Sequence, residues 1–394
     1  MTREVVFVGA ARTAIGSFGG SLKDVPPADL GALVIKTALE RAGVAPKDVG
    51  HVVVGHVIPS VPQDAYISRV AALNAGVPQE APAFNVNRLC GSGLQAIVSA
   101  AQAIQLGDCE VAVGAGAESM SRGAYLVTSN RWGARMGDVK MLDFMLGALH
   151  DPRMHIHMGI TAENVAARYE ITREQQDAYA VQSQQRAAKA IAAGYFKEQI
   201  VPVEIKTRKG VVLFDTDEGV KADTNVEALA KMKPAFKKED GTVTAGNAST
   251  LNDGAGAVVM ASSEKAKELG LKPLARLVSY GHAGVEPEYM GIGPVPASRN
   301  ALAKAGLTVA DMDVIEANEA FAAQACAVAK ELGLDNEKVN PNGSGISLGH
   351  PVGGTGAILV TKAIYELQRT GGRYALITMC IGGGQGIAMV IERV

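Results

Sequence analysis

The chain has 394 residues, of which 47% are apolar and 20% charged, and its formal net charge is −2. This balance is typical of a globular protein of two or three domains and excludes the basic composition that would attract a nucleic acid or an anionic membrane surface. The sequence shows neither an apolar stretch of the roughly 20 residues that span a bilayer nor the apolar core of a signal peptide, so we expect a cytoplasmic protein.

The four cysteines, Cys90, Cys109, Cys326 and Cys380, are widely spaced, and none belongs to a C-x-x-C pair. This spacing argues against a zinc ribbon or a dithiol redox site, and we predict no metal site. A disulfide framework is not expected in a chain of this length without an export signal. Each cysteine is therefore expected to be a small buried hydrophobe, unless its surroundings give it a role.

Strands and helices alternate from the N-terminus, a pattern typical of βαβ units around a buried sheet. In the segment NVNRLCGSGLQA (85–96), Cys90 lies where a strand-like run ends and an apolar helix begins. The helix is apolar nearly all round, which predicts that it is buried between layers. Cys90 at its start is expected to have a lowered pKa, because unpaired N–H groups and the helix dipole favour a thiolate. A structural cysteine at a tight helix entry is the alternative.

Residues from about 120 to 248 differ in composition from the rest, being richer in histidine and charge. Thr172 and Gln175 form a capping-box pattern and Gly194 a stop, which together predict a long helix between them. We interpret this stretch as a separate, more solvated unit and a candidate substrate lid.

The second half contains two polar segments in apolar surroundings. In IEANEAFAAQA (315–325), Asn318 interrupts a strand-to-helix junction, where it could fix a water or an imidazole, or act only as a helix N-cap. In GISLGHPVGGTGA (345–357), His350 precedes a glycine-rich helix start. A thiol–imidazole pair with Cys90 is one interpretation, and a core histidine beside a close helix–helix approach is the other.

The C-terminal run YALITMCIGGGQGIAMVIERV (374–394) reads as strand, tight turn and strand. Glycines alone would satisfy a hairpin turn, whereas Cys380 beside them suggests chemistry. Successive N–H groups of Ile381 to Gly384 are of the kind that forms an anion-binding nest.

The two halves repeat each other at a constant offset of 263 residues. At this offset Ala42 and Gly43 coincide with Ala305 and Gly306, and Gly91-Ser92-Gly93 coincides with Gly354-Thr355-Gly356. Repeated halves tend to pack about a pseudo-twofold axis. The repeat therefore predicts that the segments around Cys90 and His350 approach each other.

Taken together, these segments resemble the motifs of the thiolase family, in the family's order and spacing. The motifs are NRLCGSGLQA (87–96), NEAFAAQ (318–324), GSGISLGHPVGGTGA (343–357) and CIGGGQGIA (380–388). The resemblance runs from end to end, through RTAIGSFGG (12–20) and GTVTAGNASTLNDGAGA (241–257). It is closest to the short-chain bacterial acetyl-CoA acetyltransferases and β-ketothiolases.

The resemblance implies an α/β thiolase fold, with two similar βαβαβαββ halves in an α-β-α-β-α layered arrangement and an inserted loop domain. The implied domains are residues 1–120 plus 249–270 for the N-terminal half, 121–248 for the loop domain and 271–394 for the C-terminal half.

The resemblance also implies the catalytic roles. Cys90 is the nucleophile that becomes acylated, and His350 removes its proton and forms an oxyanion hole with a water held by Asn318. Cys380 exchanges a proton with the incoming thiol or with the α-carbon. Backbone N–H groups of Cys90 and Gly382 form the second oxyanion hole. The implied reaction is the reversible Claisen condensation of two acetyl-CoA to acetoacetyl-CoA and CoA.

For substrate binding, the resemblance implies that the loop domain holds coenzyme A and that no cofactor is bound. Leu149, His157 and Met158 would contact the pantetheine, with a hydrogen bond from Ser249. Lys221 falls where relatives often have an arginine near the adenine and phosphates; lysine keeps the charge but loses the planar fork. The implied partners are acetyl-CoA, acetoacetyl-CoA, short 3-ketoacyl-CoA and CoA, and the implied assembly is a homotetramer.

Met290, in PEYMGIGP, is expected to line the acyl pocket, where a flexible thioether tolerates modest variation in chain length. Cys109 and Cys326 match no motif and are expected in the core. Thr250 stands where a glycine often follows the serine, and is expected to narrow or re-aim that wall.

Two alternatives compete with this interpretation. A decarboxylating ketoacyl synthase-like enzyme uses a second histidine or an asparagine in its set, which Cys380 disfavours. A non-catalytic acyl-CoA- or lipid-binding protein of this fold would have lost the nucleophile or the base, yet all four catalytic side chains are present.

Overall fold

The computed structural model describes residues 3–394, in which strands and helices alternate. The strands are β1 (Val5–Thr13), β2 (Gly16–Ser17), β3 (His51–Gly55), β4 (Ala83–Val86), β5 (Val111–Ser119), β6 (Tyr125–Leu126), β7 (Leu142–Asp143), β8 (Ile200–Val201), β9 (Val203–Thr207), β10 (Gly210–Phe214), β11 (Asn252–Ser262), β12 (Ala275–Gly284), β13 (Val314–Ala317), β14 (Tyr374–Ile381) and β15 (Gln385–Arg393). The α-helices are α1 (Pro27–Ala42), α2 (Ile67–Asn74), α3 (Ser92–Leu106), α4 (Phe144–Ala148), α5 (Met158–Arg168), α6 (Arg173–Ala193), α7 (Val226–Ala230), α8 (Ser263–Glu268), α9 (Pro294–Ala305), α10 (Ala322–Leu332) and α11 (Thr355–Thr370).

The main sheet has the strand order β13-β14-β15-β12-β1-β11-β5-β3-β4, with β2 on β11 and β8 on β1. It consists of two half-sheets that meet where β1 and β12 pair, at Val6 with Arg276 and Phe7 with Ala275. Within each half-sheet the strands farthest from this junction run parallel, β3 beside β4 and β5 in the first and β13 beside β14 in the second.

The helices and half-sheets form α-β-α-β-α layers. One apolar core fills the space between α1 and the first half-sheet, and another lies between α9 and the second. The central core combines side chains of α3 and α11 with the inner faces of both half-sheets. The all-round apolar character of α3 is thereby explained, because Leu94, Ile97 and Ile104 on it are fully buried between the two sheets.

The structure confirms the repeat. Adding 263 to the bounds of α3 (92–106) and β5 (111–119) gives 355–369 and 374–382, each within one residue of α11 and β14. Gly43 and Gly306 both end their helices in the left-handed conformation, with φ of 67° and 66°. The first half has the complete βαβαβαββ order, whereas in the second the third strand is reduced to a single bridge between Ile315 and Val339.

The two central helices touch at equivalent residues. A Cβ on Gly356 would lie 2.1 Å from the backbone nitrogen of Leu94, and a Cβ on Gly93 would lie 2.8 Å from that of Ala357. Gly93 and Gly356 are themselves related by the 263-residue offset, so the pseudo-twofold axis passes between them. The loops that precede α3 and α11, which carry Cys90 and His350, are thus brought to one place.

The insertion between β5 and β11 carries α4 to α7 and the hairpin of β9 and β10. The predicted long helix is confirmed as α6, with the capping box of Thr172 and Gln175 at its start and Gly194 at its end, with φ of 75°. The Ser183 hydroxyl on α6 donates to Glu319 Oε2 at 2.6 Å, so the insertion is bound to the second half. Among residues 3–394, no helix has both the length and the apolar character needed to cross a bilayer.

The close contact between α3 and α11 predicts that a larger side chain at Gly356 lowers the stability of the protein. We expect Gly356→Ala to destabilise the protein by about 2 kcal/mol, because the added methyl forces the two helices apart. Gly147→Ala is the matched control, since Gly147 lies in α4 and a Cβ added to it would have no other atom within 4 Å, and alanine there favours the helix. Differential scanning calorimetry should show a lower melting temperature for Gly356→Ala only; equal melting temperatures would contradict a tight crossing.

Candidate active site

A pocket of about 590 Å³ opens between the insertion and the two halves. Its wall is mostly apolar, with a few polar groups, which is the usual character of a small-molecule site. The predicted site residues that line it are Cys90, Leu149, His157, Met158, Lys221, Ser249, Met290 and His350. The other predicted residues, Asn318, Cys380 and Gly382, lie directly behind this wall, as the contacts below show.

Cys90 stands on a tight turn between β4 and α3. Leu89 before it has a φ of 45°, a left-handed conformation that costs a non-glycine residue roughly 1–2 kcal/mol. Side chains hold the turn: Asn87 Oδ1 accepts from the Leu89 N–H at 3.0 Å, and Ser92 Oγ accepts from the Arg88 N–H at 2.9 Å. The strained turn presents the sulfur to the pocket.

The expectation of a lowered pKa for Cys90 is wrong. Burial raises the pKa of the Cys90 thiol to about 11 and outweighs hydrogen bonds from the backbone N–H groups of Gly382 and of Cys90 itself, which lower it. The charge of Glu118 raises it further. The donors expected at the helix start are present, but the removal of water from the sulfur has the larger effect, so the resting residue is a neutral thiol.

His350 is fixed through both its ring and its backbone. The Thr355 hydroxyl donates to the Pro351 carbonyl at 2.9 Å, so it accepts from His350 Nδ1, which lies 2.7 Å away. The proton is therefore on Nδ1 and Nε2 carries the lone pair. The His350 N–H donates to Asn252 Oδ1 at 2.9 Å. Burial lowers the pKa of His350 to about 4, so the ring is neutral near pH 7 and Nε2 can accept a proton.

Asn318 is buried beside this ring. Its Nδ2 lies 3.4 Å from His350 Nε2, and its backbone N–H donates to the Thr378 carbonyl at 2.9 Å. The alternative of a helix N-cap is wrong, because α10 begins at Ala322 and Phe321 occupies the N-cap position. The amide therefore serves the pocket and not the helix.

Cys380 lies within β14, one residue before its end, so it is beside the hairpin turn and not at its tip. The turn comprises Gly382 to Gly384, in which Gly383 and Gly384 have φ of 79° and 80°. Cys380 is fully buried in the apolar cluster that also contains Met158 and Met290. Burial, and next the charge that Cys90 carries when it is ionised, raise the pKa of Cys380 far above its usual value, so it too is a neutral thiol.

The insertion contributes a compact wall around α5. The Met158 N–H donates to the Leu149 carbonyl at 2.8 Å, and His157 Nδ1 accepts from the Gly159 N–H at 2.9 Å as the helix cap. The His157 ring stacks on Phe236, with centroids 4.7 Å apart and planes 18° apart. Burial, followed by the charge of His150, lowers the pKa of His157, so a flat neutral surface faces the pocket.

Polar groups lie toward the solvent side of the pocket. Lys221 is exposed, and its backbone N–H donates to Gln184 Oε1 at 2.8 Å. The Ser249 N–H donates to the Ala320 carbonyl at 3.0 Å. The Thr250 hydroxyl donates to Asn252 Oδ1 at 2.8 Å, the same oxygen that receives the His350 N–H.

Met290 has only 2% of its surface exposed and is part of the pocket wall, as expected of an acyl-pocket residue. Cys109 and Cys326 do not line this pocket. They pack against the apolar cores but remain partly exposed, so their prediction as core residues is only half right.

Asn252, Thr355 and Phe236 shape the site and were not among the predicted site residues. Asn252 was visible as the first of two polar residues that open a mostly apolar strand, and Thr355 as a hydroxyl between two glycines. Phe236 gave no signal, since it lies in a charged, irregular segment far from its partner His157 in sequence.

Two family models match this chain. Residues 5–264 match the family model of the thiolase N-terminal domain, and residues 271–393 match that of the thiolase C-terminal domain. The chain is 67% identical over 394 residues to beta-ketothiolase BktB of Cupriavidus necator, covering 100% of both chains. It is 53% identical over 392 residues to acetyl-CoA acetyltransferase of Chromobacterium violaceum, covering 99% of this chain and 100% of that protein.

A crystal structure of human mitochondrial 3-ketoacyl-CoA thiolase in complex with CoA matches with a TM-score of 0.96 and 46% identity. The match covers 100% of this chain and 98% of that one.

The geometry of His350 predicts its spectrum. In ¹⁵N NMR of histidine-labelled protein, with peaks assigned through His350→Asn, the ring should show the Nδ1–H tautomer and stay neutral down to about pH 5, given its pKa of about 4. Thr355→Val should reduce the Nδ1–H tautomer, because the buried donor loses its acceptor. Thr361→Val is the control, since its hydroxyl bonds only the Ala357 carbonyl of the same helix. Titration near pH 6.5 would contradict this assignment.

Proposed function

The chain belongs to the thiolase family, and we propose that its pocket carries out the reaction of that family on short acyl-CoA thioesters. It is an acyltransferase that condenses two acetyl-CoA to acetoacetyl-CoA and CoA, and in reverse cleaves 3-ketoacyl-CoA with free CoA. Condensation is intrinsically uphill, so the isolated enzyme is expected to run faster in the direction of cleavage.

The observation that carries the proposal is the convergence at one pocket of a neutral, Nδ1-protonated imidazole and two neutral thiols, Cys90 in the wall and Cys380 directly behind it. A thioester is attacked best by a thiolate, and attack gives another thioester of similar energy, so the acyl group stays activated. With both groups neutral at rest, Cys90 gives its proton to His350 Nε2 as its sulfur attacks. The thiolate then exists only while substrate is present.

In thiolysis, Cys90 attacks the 3-keto carbonyl, and the oxyanion is held by His350 together with a water bound by Asn318. The Cα–Cβ bond breaks to leave the acyl group on Cys90, and Cys380 gives its proton to the α-carbon of the departing acetyl-CoA. The Cys380 thiolate then takes the proton of the incoming CoA thiol, whose sulfur removes the acyl group. The Cys90 sulfur leaves and recovers its proton from His350. Aimed donors of this kind contribute roughly 3 kcal/mol each in comparable sites.

Backbone donors serve the thioester carbonyl. The N–H groups of Cys90 and Gly382 both lie close enough to the Cys90 sulfur to lower its pKa. An acyl group on that sulfur would place its oxygen within reach of the same two donors. We assign them as the second oxyanion hole.

The coenzyme A part of the substrate lies along the insertion in this proposal. Leu149, His157 and Met158 form the flat, apolar wall that suits pantetheine, and Ser249 supplies a hydrogen bond. Lys221, exposed near the opening, supplies a positive charge to the adenosine phosphates.

We extend the proposal to the organisation of the protein. The domains are 1–120 plus 249–270, 121–248 and 271–394, and the assembly is a homotetramer, a dimer of dimers. Exposed apolar side chains of the insertion support association, since Trp132 is 90% and Met136 97% exposed, and such surfaces mark interfaces. We place the protein in the cytoplasm, because its thiols must stay reduced.

An acyl-enzyme test addresses the mechanism directly. Mixing with acetoacetyl-CoA alone should give an acetyl adduct that peptide mapping by mass spectrometry assigns to Cys90, and adding CoA should release it with steady-state turnover. Cys90→Ser should lose both, and Cys109→Ser, a cysteine outside the pocket wall, should keep both. Binding without adduct or turnover would favour a non-catalytic acyl-CoA-binding protein.

The acyl pocket gives a second prediction. Met290→Phe should reduce kcat/KM for 3-ketohexanoyl-CoA at least about tenfold more than for acetoacetyl-CoA, because the stiffer ring removes room for the added methylenes. Met290→Leu keeps the volume and should leave the ratio between the two substrates within about twofold. An unchanged ratio in the phenylalanine variant would remove Met290 from the acyl pocket.

A further inference from the structure

A buried carboxylate ties together three segments around Cys90. Glu118, near the end of β5, is fully buried. Its Oε2 accepts from the N–H groups of Gly353 at 2.8 Å and Val57 at 3.1 Å, and its Oε1 accepts from the Ile58 N–H at 3.1 Å. Gly353 follows His350 in the same loop, and a Cβ on it would lie 2.6 Å from Glu118 Oε2, so only glycine lets the carboxylate sit there.

These tied segments form the surroundings of the thiol. Val57, Ile58 and Val352 belong to one apolar cluster, and Cys90 packs against it. A single carboxylate thus connects the loop that carries His350 to the wall that supports Cys90. The same negative charge acts against catalysis, because the charge of Glu118 raises the pKa of Cys90.

The His56 imidazole lies against this carboxylate. Its Nδ1 is 2.9 Å from the Ala117 carbonyl oxygen and 3.0 Å from Glu118 Oε1. Both neighbours are acceptors, so Nδ1 carries a proton. On the other side, Nε2 is 4.0 Å from Asp64 Oδ2 and has no hydrogen-bond partner among residues 3–394.

The charges that face His56 are those of Glu118 on β5 and Asp64 in the turn after β3. Asp64 Oδ2 already accepts from the N–H groups of Ser60 at 2.6 Å and Val61 at 3.0 Å. Burial lowers the pKa of His56, but the charge and hydrogen bond of Glu118, the Ala117 carbonyl and the charge of Asp64 outweigh it and raise the pKa to about 9. At neutral pH the ring is an imidazolium.

We propose that His56 is a positioning residue that neutralises Glu118, so that this carboxylate can hold the walls of the Cys90 site without opposing ionisation of the thiol. The inference rests on the proposed function, in which Cys90 must become a thiolate. His56 touches neither Cys90 nor the pocket and acts through Glu118. Its charge makes the reactivity of Cys90 depend on pH through a group outside the pocket.

The test compares the rate of alkylation of Cys90 by iodoacetamide, mapped by mass spectrometry, in the wild type and in His56→Asn. Asparagine places an amide nitrogen where Nδ1 lies and keeps the hydrogen bond without the charge. We expect His56→Asn to react about tenfold more slowly at pH 7, equivalent to about one unit in the pKa of Cys90. The ratio should fall towards one above about pH 10, where the wild-type imidazolium has lost its proton.

A matched control and a second variant sharpen the result. His51→Asn, at the opposite end of β3 with its ring against Phe84, should react like the wild type. In a Glu118→Gln background, His56→Asn should no longer slow alkylation, because no carboxylate remains to be neutralised. If Glu118→Gln does not fold, the inference is tested by the pH dependence of the alkylation rate of His56→Asn relative to the wild type.

Equal rates for His56→Asn and the wild type at pH 7, or a ratio that does not change with pH, would overturn the inference. The acetyl adduct that the wild type forms with acetoacetyl-CoA is measured in parallel. It distinguishes failure of the inference about His56 from failure of the proposed function. An adduct on Cys90 with unchanged alkylation refutes only the role of His56. Absence of any adduct refutes the function on which it rests.

Discussion

The structure depends on the contact between α3 and α11 at Gly93 and Gly356, where one backbone approaches the other too closely for any side chain. This contact is why the catalytic groups meet, since Cys90 and His350 each lie just before one of these helices. Although Cys90 and His350 are far apart in sequence, they lie close together in space because the starts of the two helices are held together. The two half-sheets, by contrast, share only a short pairing between β1 and β12, so the central helices carry most of the contact between the halves.

Exclusion of water sets the chemistry of the pocket as much as any hydrogen bond. Burial moves the pKa of Cys90 up and that of His350 down, so the pair rests uncharged instead of as a thiolate and an imidazolium. An uncharged pair needs no counterion, which suits an apolar pocket that receives an uncharged acyl chain. The imidazolium–carboxylate pair of His56 and Glu118 is kept one layer away, where backbone N–H groups can support it.

Much of this arrangement could be predicted from local patterns. The capping box of α6, the repeat at an offset of 263 and the positions of Cys90 and His350 follow from short stretches of sequence, because each reflects local geometry or duplicated geometry. The contacts of Asn252 and Glu118 could not be found in this way, even though Asn252 is locally visible as a polar residue, since their partners His350 and Gly353 lie 98 and 235 residues away. The pKa of Cys90 was mispredicted for the same reason: the dipole of one helix is local, whereas burial results from the whole fold.

The equivalence of Ser92 and Thr355 has a consequence for how such a site can arise. Both hydroxyls donate to a carbonyl of the preceding turn, but Ser92 accepts a backbone N–H, whereas Thr355 accepts from the His350 ring. In a symmetric pair of identical chains, every contact between two residues occurs twice, so both halves carry the same set of side chains. Joining the halves in one polypeptide removes that restriction. Covalent fusion, and not only duplication, is what permits one half to specialise in the thiol and the other in the imidazole, so that a single site forms at the axis.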